Sequence, residues 1–193
     1  MNPGKGTAII ICYDNKKVVC IQCSNKRELH RAGYIVVDSS TIIENGYLEV
    51  ENGLITGVHK GIPKEKCIDH GPGVLIPPLV NTHLHLELSA LKNMLPLNMG
   101  FKYWVKKLLE KRDTLGKEIL IKKAQKEMKA LIETGNLWVG DISTLGLTAS
   151  FIEASTLNGV CFNEFLGSDI PSQLINKNGR VLLSAAGHAP HTS

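Results

Sequence analysis

Two histidines one residue apart, His83 and His85, close an apolar run that starts at Val74. The run is short, bounded by Gly73 and rich in branched residues, which predicts a buried strand rather than a helix. Side chains alternate along a strand, so the two imidazoles share one face about 6–7 Å apart, with Leu84 opposite. One chemistry this spacing serves is a divalent metal held by two imidazole nitrogens. The other outcome is two strand-end histidines bonded to solvent or to neighbours. A second metal-type spacing, Cys20-Ile21-Gln22-Cys23, has Cys12 and His30 as its nearest further donors for a small zinc module. On an alternating strand Cys20 and Cys23 face opposite ways. The five cysteines are odd in number and scattered, which fits packed, reduced thiols rather than a disulfide framework.

The elements that must position these residues are legible in outline. Thr7–Cys12 and Lys17–Ile21 read as a hairpin around Tyr13-Asp14-Asn15-Lys16. Tyr34–Val37, Gly46–Val50 and Leu54–Val58 read as short strands, with Glu51-Asn52-Gly53 as a tight turn. His59 and His70 fall among turn residues and are expected to be exposed. After the histidine pair, Lys92 to Gly100 is a loop. Phe101 to Arg112 then has helical spacing, with Phe101, Trp104, Val105, Leu108 and Leu109 in one stripe. Lys117–Thr134 is a second helix, with Ile119, Leu120, Ala124, Met128, Leu131 and Ile132 on its apolar side and Gly135 as its stop. Strands are expected at 137–143, 160–166 and 181–184, with a helix over 147–157 and a polar connector at 168–180. Strand and helix in alternation predict a parallel α/β sheet or barrel.

The order of motifs carries a family resemblance. Asn45-Gly46 through Asn52-Gly53 and Val58, the Pro-rich entry at Pro77-Pro78, and Asn81-Thr82-His83-Leu84-His85 together resemble the opening of the amidohydrolase superfamily. The closest likeness is to its branch of cytosine, guanine and adenosylhomocysteine deaminases and triazine chlorohydrolases. The run His85-Leu86-Glu87-Leu88-Ser89-Ala90-Leu91, with Gly100 to Arg112, resembles the deaminases of aminodeoxyfutalosine and related adenine nucleosides.

The resemblance implies an α/β chain of two parts. Residues 1–72 would form part of a small β-sandwich, with 1–30 outside the match. Residues 73–193 would form the first half, about four βα units, of a metal-dependent (β/α)8 TIM barrel. It implies His83 and His85 as ligands to a divalent metal, zinc or else iron. Trp104 would cover the substrate, the alternative being plain core on an amphipathic helix. His188, in His188-Ala189-Pro190, matches a histidine that contacts substrate; His191 stands where the family usually has Tyr. Asp141, in the Gly135-to-Asp141 pattern, is expected to make structural hydrogen bonds.

The implied reaction is hydrolytic deamination of an adenine-type nucleoside, with a metal-activated water and a carboxylate that moves the proton to the leaving amine. The family's His-x-x-Glu, a further His and an Asp belong on the fifth, sixth and eighth strands, past Ser193. Catalytic residues are therefore unassigned, and neither Glu87 nor Glu164 takes the proton-shuttle role. By itself the chain is expected to be an inactive piece that aggregates, pairs with a second copy or needs its C-terminal half. The alternatives are a non-catalytic remnant, or a chlorohydrolase or other C–N amidine hydrolase.

Bulk composition narrows the classes. The chain has 193 residues, 43% hydrophobic and 21% charged, with net charge +4. The excess lysines lie along the helical middle and read as a solvated face. Without interleaved aromatics they predict no nucleic-acid binding, and a small-molecule substrate is expected instead. No apolar run reaches the roughly 20 residues that span a bilayer. The N-terminus lacks a signal-peptide pattern, so a cytoplasmic setting is expected.

Overall fold

In a computed structural model that describes residues 9–14, 17–22, 26–96, 98, 100–165 and 181–187, the first strands follow the hairpin pattern. β1 (Ile9–Asp14) and β2 (Lys17–Gln22) pair antiparallel, with Asp14 opposite Lys17. β3 (Glu28–Val36) and β4 (Ile42–Glu51) are longer than their apolar stretches predict. They pair antiparallel from Glu28↔Val50 to Val36↔Ile42. The Asp38 carboxylate accepts from the backbone N–H of Ser40 and of Thr41 (both 2.8 Å), and so forms the connecting turn. Asn52 and Gly53 take positive φ of 51° and 78°, the left-handed pair a two-residue hairpin needs. They join β4 to β5 (Leu54–Lys60). Two short strands, β6 (Ile68–Asp69) and β7 (Val74–Ile76), run parallel to β3. The sheet order is β2-β1-β7-β3-β4-β5, with β6 branching from β3. Ala32, Ile35, Leu48, Val50 and Leu75 form its core, and the two-residue period of Leu48 and Val50 puts one face of β4 inward.

The apolar stretch from Val74 to Leu84 is two strands in two sheets, not one. β7 joins the first sheet, and β8 (Leu79–Leu84) joins a second. Pro77 and Pro78 lie between them and, without backbone N–H groups, cannot continue a ladder. The second sheet has the order β11-β10-β9-β8. It is built from β9 (Asn136–Ser143), β10 (Asn158–Phe165) and β11 (Val181–Gly187), with β10 parallel to both β9 and β11.

The long helix α1 (Phe101–Glu133) breaks at Gly116, whose φ of 76° and ψ of 159° only glycine holds without strain. Leu120, Ala124 and Met128, spaced by four, bury one stripe of its second half. Ile119, expected on that side, is 44% exposed, and Phe101 is 65% exposed. The short helix α2 (Ala149–Glu153) stops before the apolar pattern does. The Ser155 hydroxyl donates to the Ile152 carbonyl (2.6 Å) and accepts from the Leu157 N–H (3.0 Å), which turns the chain. Leu86, Ala124, Met128, Val139, Ile152, Leu157, Cys161 and Val181 form the core here.

The chain divides into two compact units, residues 1–79 with 133–135 and residues 80–132 with 136–193. Among the described residues no helix is long and apolar enough to cross a membrane.

Candidate metal centre

The histidine pair sits where β8 ends. His83 is on the strand and exposed; His85 follows it and is partly buried. Their ring centroids are 5.3 Å apart and the rings meet edge to face. Local bonds fix both backbones. The Asn81 side-chain oxygen accepts from the His83 N–H (3.3 Å), a physical use for the asparagine of the Asn-x-His-x-His pattern. The His85 carbonyl accepts from Leu88 N–H (3.0 Å) in a 3-10 turn over Leu86–Leu91. Gly140 on β9 lies against the backbone of Thr82, and a Cβ at that glycine would collide with the Thr82 carbonyl. The close approach of β8 and β9 thus depends on a missing side chain.

Below the pair lies a buried polar layer. Asp141, fully buried at the end of β9, accepts from the Leu86 N–H (2.9 Å) and from the Thr148 hydroxyl. Burial pushes its carboxyl up from the ordinary value, while the Thr148 and Leu86 bonds pull it down. Its place agrees with the expected structural role. Glu87 is 1% exposed. One of its oxygens accepts from the Thr144 N–H and hydroxyl (both 2.7 Å). The other accepts from the Ser143 hydroxyl (2.6 Å) and the Leu145 N–H (3.2 Å). With both oxygens engaged, Glu87 is held as an acceptor and is not poised to move a proton. Sequence reasoning missed this role. The signal available was a carboxylate inside the apolar run Leu86-Glu87-Leu88, since a buried charge needs dedicated donors.

The remaining sequence candidates are placed separately. Trp104 lies partly buried on the first half of α1, its backbone N–H donating to the Gly100 carbonyl (3.0 Å). His188 and His191 lie outside the described residues, as do Cys23 and the whole 168–180 connector. In the β1–β2 hairpin Cys12 pairs with Val19 and Cys20 with Ile11, so these cysteines are not directly opposed. His30, the fourth donor considered for them, is fully buried and bonds through Nδ1 to His70 Nε2 at 3.1 Å. His70 is therefore packed against a ring rather than exposed; His59 is 44% exposed and stacks on Tyr47. Among the described residues no group of three or more His, Cys, Asp or Glu side chains is arranged to hold a metal ion.

No family model matches the chain. It is 24% identical over 180 residues to a 5-methylthioadenosine/S-adenosylhomocysteine deaminase of Shouchella clausii, covering 80% of this chain and 41% of that protein. It is 33% identical over 97 residues to an aminodeoxyfutalosine deaminase of Nitratiruptor, covering 50% and 24%. The chain thus spans less than half the length of the curated relatives it matches. Its fold superposes on Helicobacter pylori aminofutalosine deaminase, solved with methylthio-coformycin, with a TM-score of 0.68 and 23% identity over 86% of this chain and 45% of that one. The same fold occurs in a guanine deaminase solved with guanine and in an atrazine chlorohydrolase solved with zinc and atraton. The chain's relatives are therefore deaminases, and its structural neighbours are deaminases and triazine hydrolases of the amidohydrolase superfamily, the branch that its motifs resemble.

Proposed function

We propose that this chain carries the opening part of a metal-dependent hydrolytic deaminase acting on an adenine-type nucleoside. In this reading β8 to β11 are the first strands of a (β/α)8 barrel, and the first unit is part of a small sandwich. The observation that supports it most is the ring pair of His83 and His85 at the C-terminal end of β8, in the sheet whose β9, β10 and β11 run parallel, the end where such barrels place their chemistry.

The donor chemistry suits a divalent ion. Two imidazoles are 5.3 Å apart between centroids, and His83 is open to solvent. A catalytic site needs a third protein ligand and an open position, and among the described residues no third donor is arranged beside the pair. When bound, zinc or a similar ion supplies Lewis acidity toward water and the carbon that bears the amine. The chain's own residues do the rest of the positioning. Asn81 holds the His83 backbone, and Asp141 and Glu87 hold the segment that follows His85. Trp104 covers the purine face, and His188 bonds the substrate. β8 and β11 are the outer strands of the sheet, with Val80 61% and Leu182 42% exposed. The remaining barrel strands, or a second copy, cover them.

The test is the gene product at its native length, identified by intact mass and assayed for ammonia release from adenine nucleosides. Release that is lost in His83→Ala and in His85→Ala supports the reading. No release, or release indifferent to both substitutions, leaves a non-catalytic chain and ends it.

A further inference from the structure

The geometry points to Glu87 as a positioning residue that ties the histidine pair to the first half of α1 through Thr144 and Arg112. The inference rests on the metal role proposed above for His83 and His85.

Two bonds make the connection. The Thr144 hydroxyl donates to Glu87 and accepts from Arg112 Nη1 at 3.0 Å. Arg112 is only 12% exposed, and its other guanidinium nitrogens are held by Asp113 (2.9 and 3.0 Å). Trp104, Leu108 and Arg112 are spaced by four, so they share one side of the helix. A change at Glu87 therefore reaches both the helix that carries Trp104 and the segment behind the histidines.

The second connection runs through the backbone. His85 has φ −130° and ψ 80°. The next two residues are pinned, Leu86 by its N–H to Asp141 and Glu87 by four donors from three consecutive residues, and this holds the His85 backbone in place. The direction of the His85 ring follows from that backbone. Glutamine at 87 has the same shape, but its amide nitrogen must face one pair of those donors. Either Thr144 or Ser143 with Leu145 then loses its acceptor. The turn shifts, and with it the ring that should meet the metal. Outer groups that orient metal ligands are worth about 10- to 100-fold in affinity.

The experiment is a zinc titration, read also by the visible bands of cobalt(II), on the chain and on Glu87→Gln, Arg112→Met and His83→Ala. Thermal unfolding is followed in parallel. Glu87→Gln is expected to weaken zinc binding about tenfold or more and to alter the cobalt spectrum. Arg112→Met, which leaves all four Glu87 bonds in place, is expected to produce a smaller loss at near-unchanged unfolding temperature, and it remains informative should Glu87→Gln fail to fold. Metal binding by the wild-type chain that both variants equal overturns this inference alone. No binding by the wild-type chain, or binding that His83→Ala leaves intact, overturns the metal reading and this inference with it.

Discussion

Replacing Asp141 separates the value of its charge from the value of its bonds. The residue is fully buried and has two donors aimed at it, the Leu86 N–H and the Thr148 hydroxyl. Asp141→Ala orphans both in a site without water access, since Leu86 is 3% exposed and Thr148 fully buried. A hydrogen bond to a charged group is worth about 1.5–3 kcal/mol, and an unsatisfied buried donor costs about 1–3 kcal/mol. Removing a buried charge near the Glu87 carboxylate returns part of that. The net expectation is a loss of about 3 kcal/mol, a large share of a typical stability of about 5–15 kcal/mol. Asp141→Asn keeps an oxygen for Leu86 and sheds the charge that burial disfavours, so it should cost only about 1 kcal/mol. The assay is urea unfolding followed by tryptophan fluorescence. Both tryptophans, Trp104 and Trp138, lie in the second unit, so the signal reports the right part of the chain. Equal losses for the two variants would show that the charge itself is required. A loss below about 1 kcal/mol for Asp141→Ala would show that the bonds do not hold the segment after His85 to β9. Either result refutes the reasoning.

Two further outcomes follow from other sites. Gly140→Ala places a Cβ against the Thr82 backbone carbonyl, where neither side can yield. It should destabilise the second unit by about 1–3 kcal/mol and weaken zinc binding at His83 and His85; unchanged urea unfolding would contradict the close approach. In the first unit, burial lowers the affinity of His30 and of His70 for protons, and the neighbouring His30 adds to the effect at His70. Glu28 and Asp69 oppose it without reversing it. The unfolded chain, with histidines near 6.5, therefore binds more protons than the folded one below that pH. Stability is fully present above about pH 6.5 and falls as the pH drops toward the lowered folded values. Hydrogen exchange of the first unit at pH 7.5 and 5.5 should show this loss, and His30→Phe should flatten it.

What could be read in advance was what local chemistry controls. Asn52-Gly53 marked its hairpin because only left-handed residues fit there, and Gly135 marked the end of the long helix. The histidine pair was legible because a period of two is a property of any strand. What escaped depended on partners far away in the chain. Glu87 meets Ser143 and Thr144 across 56 and 57 positions, and His30 meets His70 across 40. No periodicity in either segment encodes those meetings. The division of Val74–Leu84 between two sheets was missed because composition rewarded one long run, although the missing N–H groups of Pro77 and Pro78 already forbade it. Ile119 follows the same lesson in reverse: helical spacing placed it inward, but the buried stripe of Leu120, Ala124 and Met128 runs one residue over.

The most direct measurement is the first coordination shell of zinc added to the wild-type chain, by X-ray absorption, beside zinc uptake by His83→Ala and His85→Ala. The account predicts about one ion per chain, two imidazole nitrogens at about 2.0–2.1 Å, and loss of uptake in either variant. Sulfur at about 2.3 Å, or uptake that survives both substitutions, would place the metal among the cysteines and contradict the histidine pair as the centre of this site.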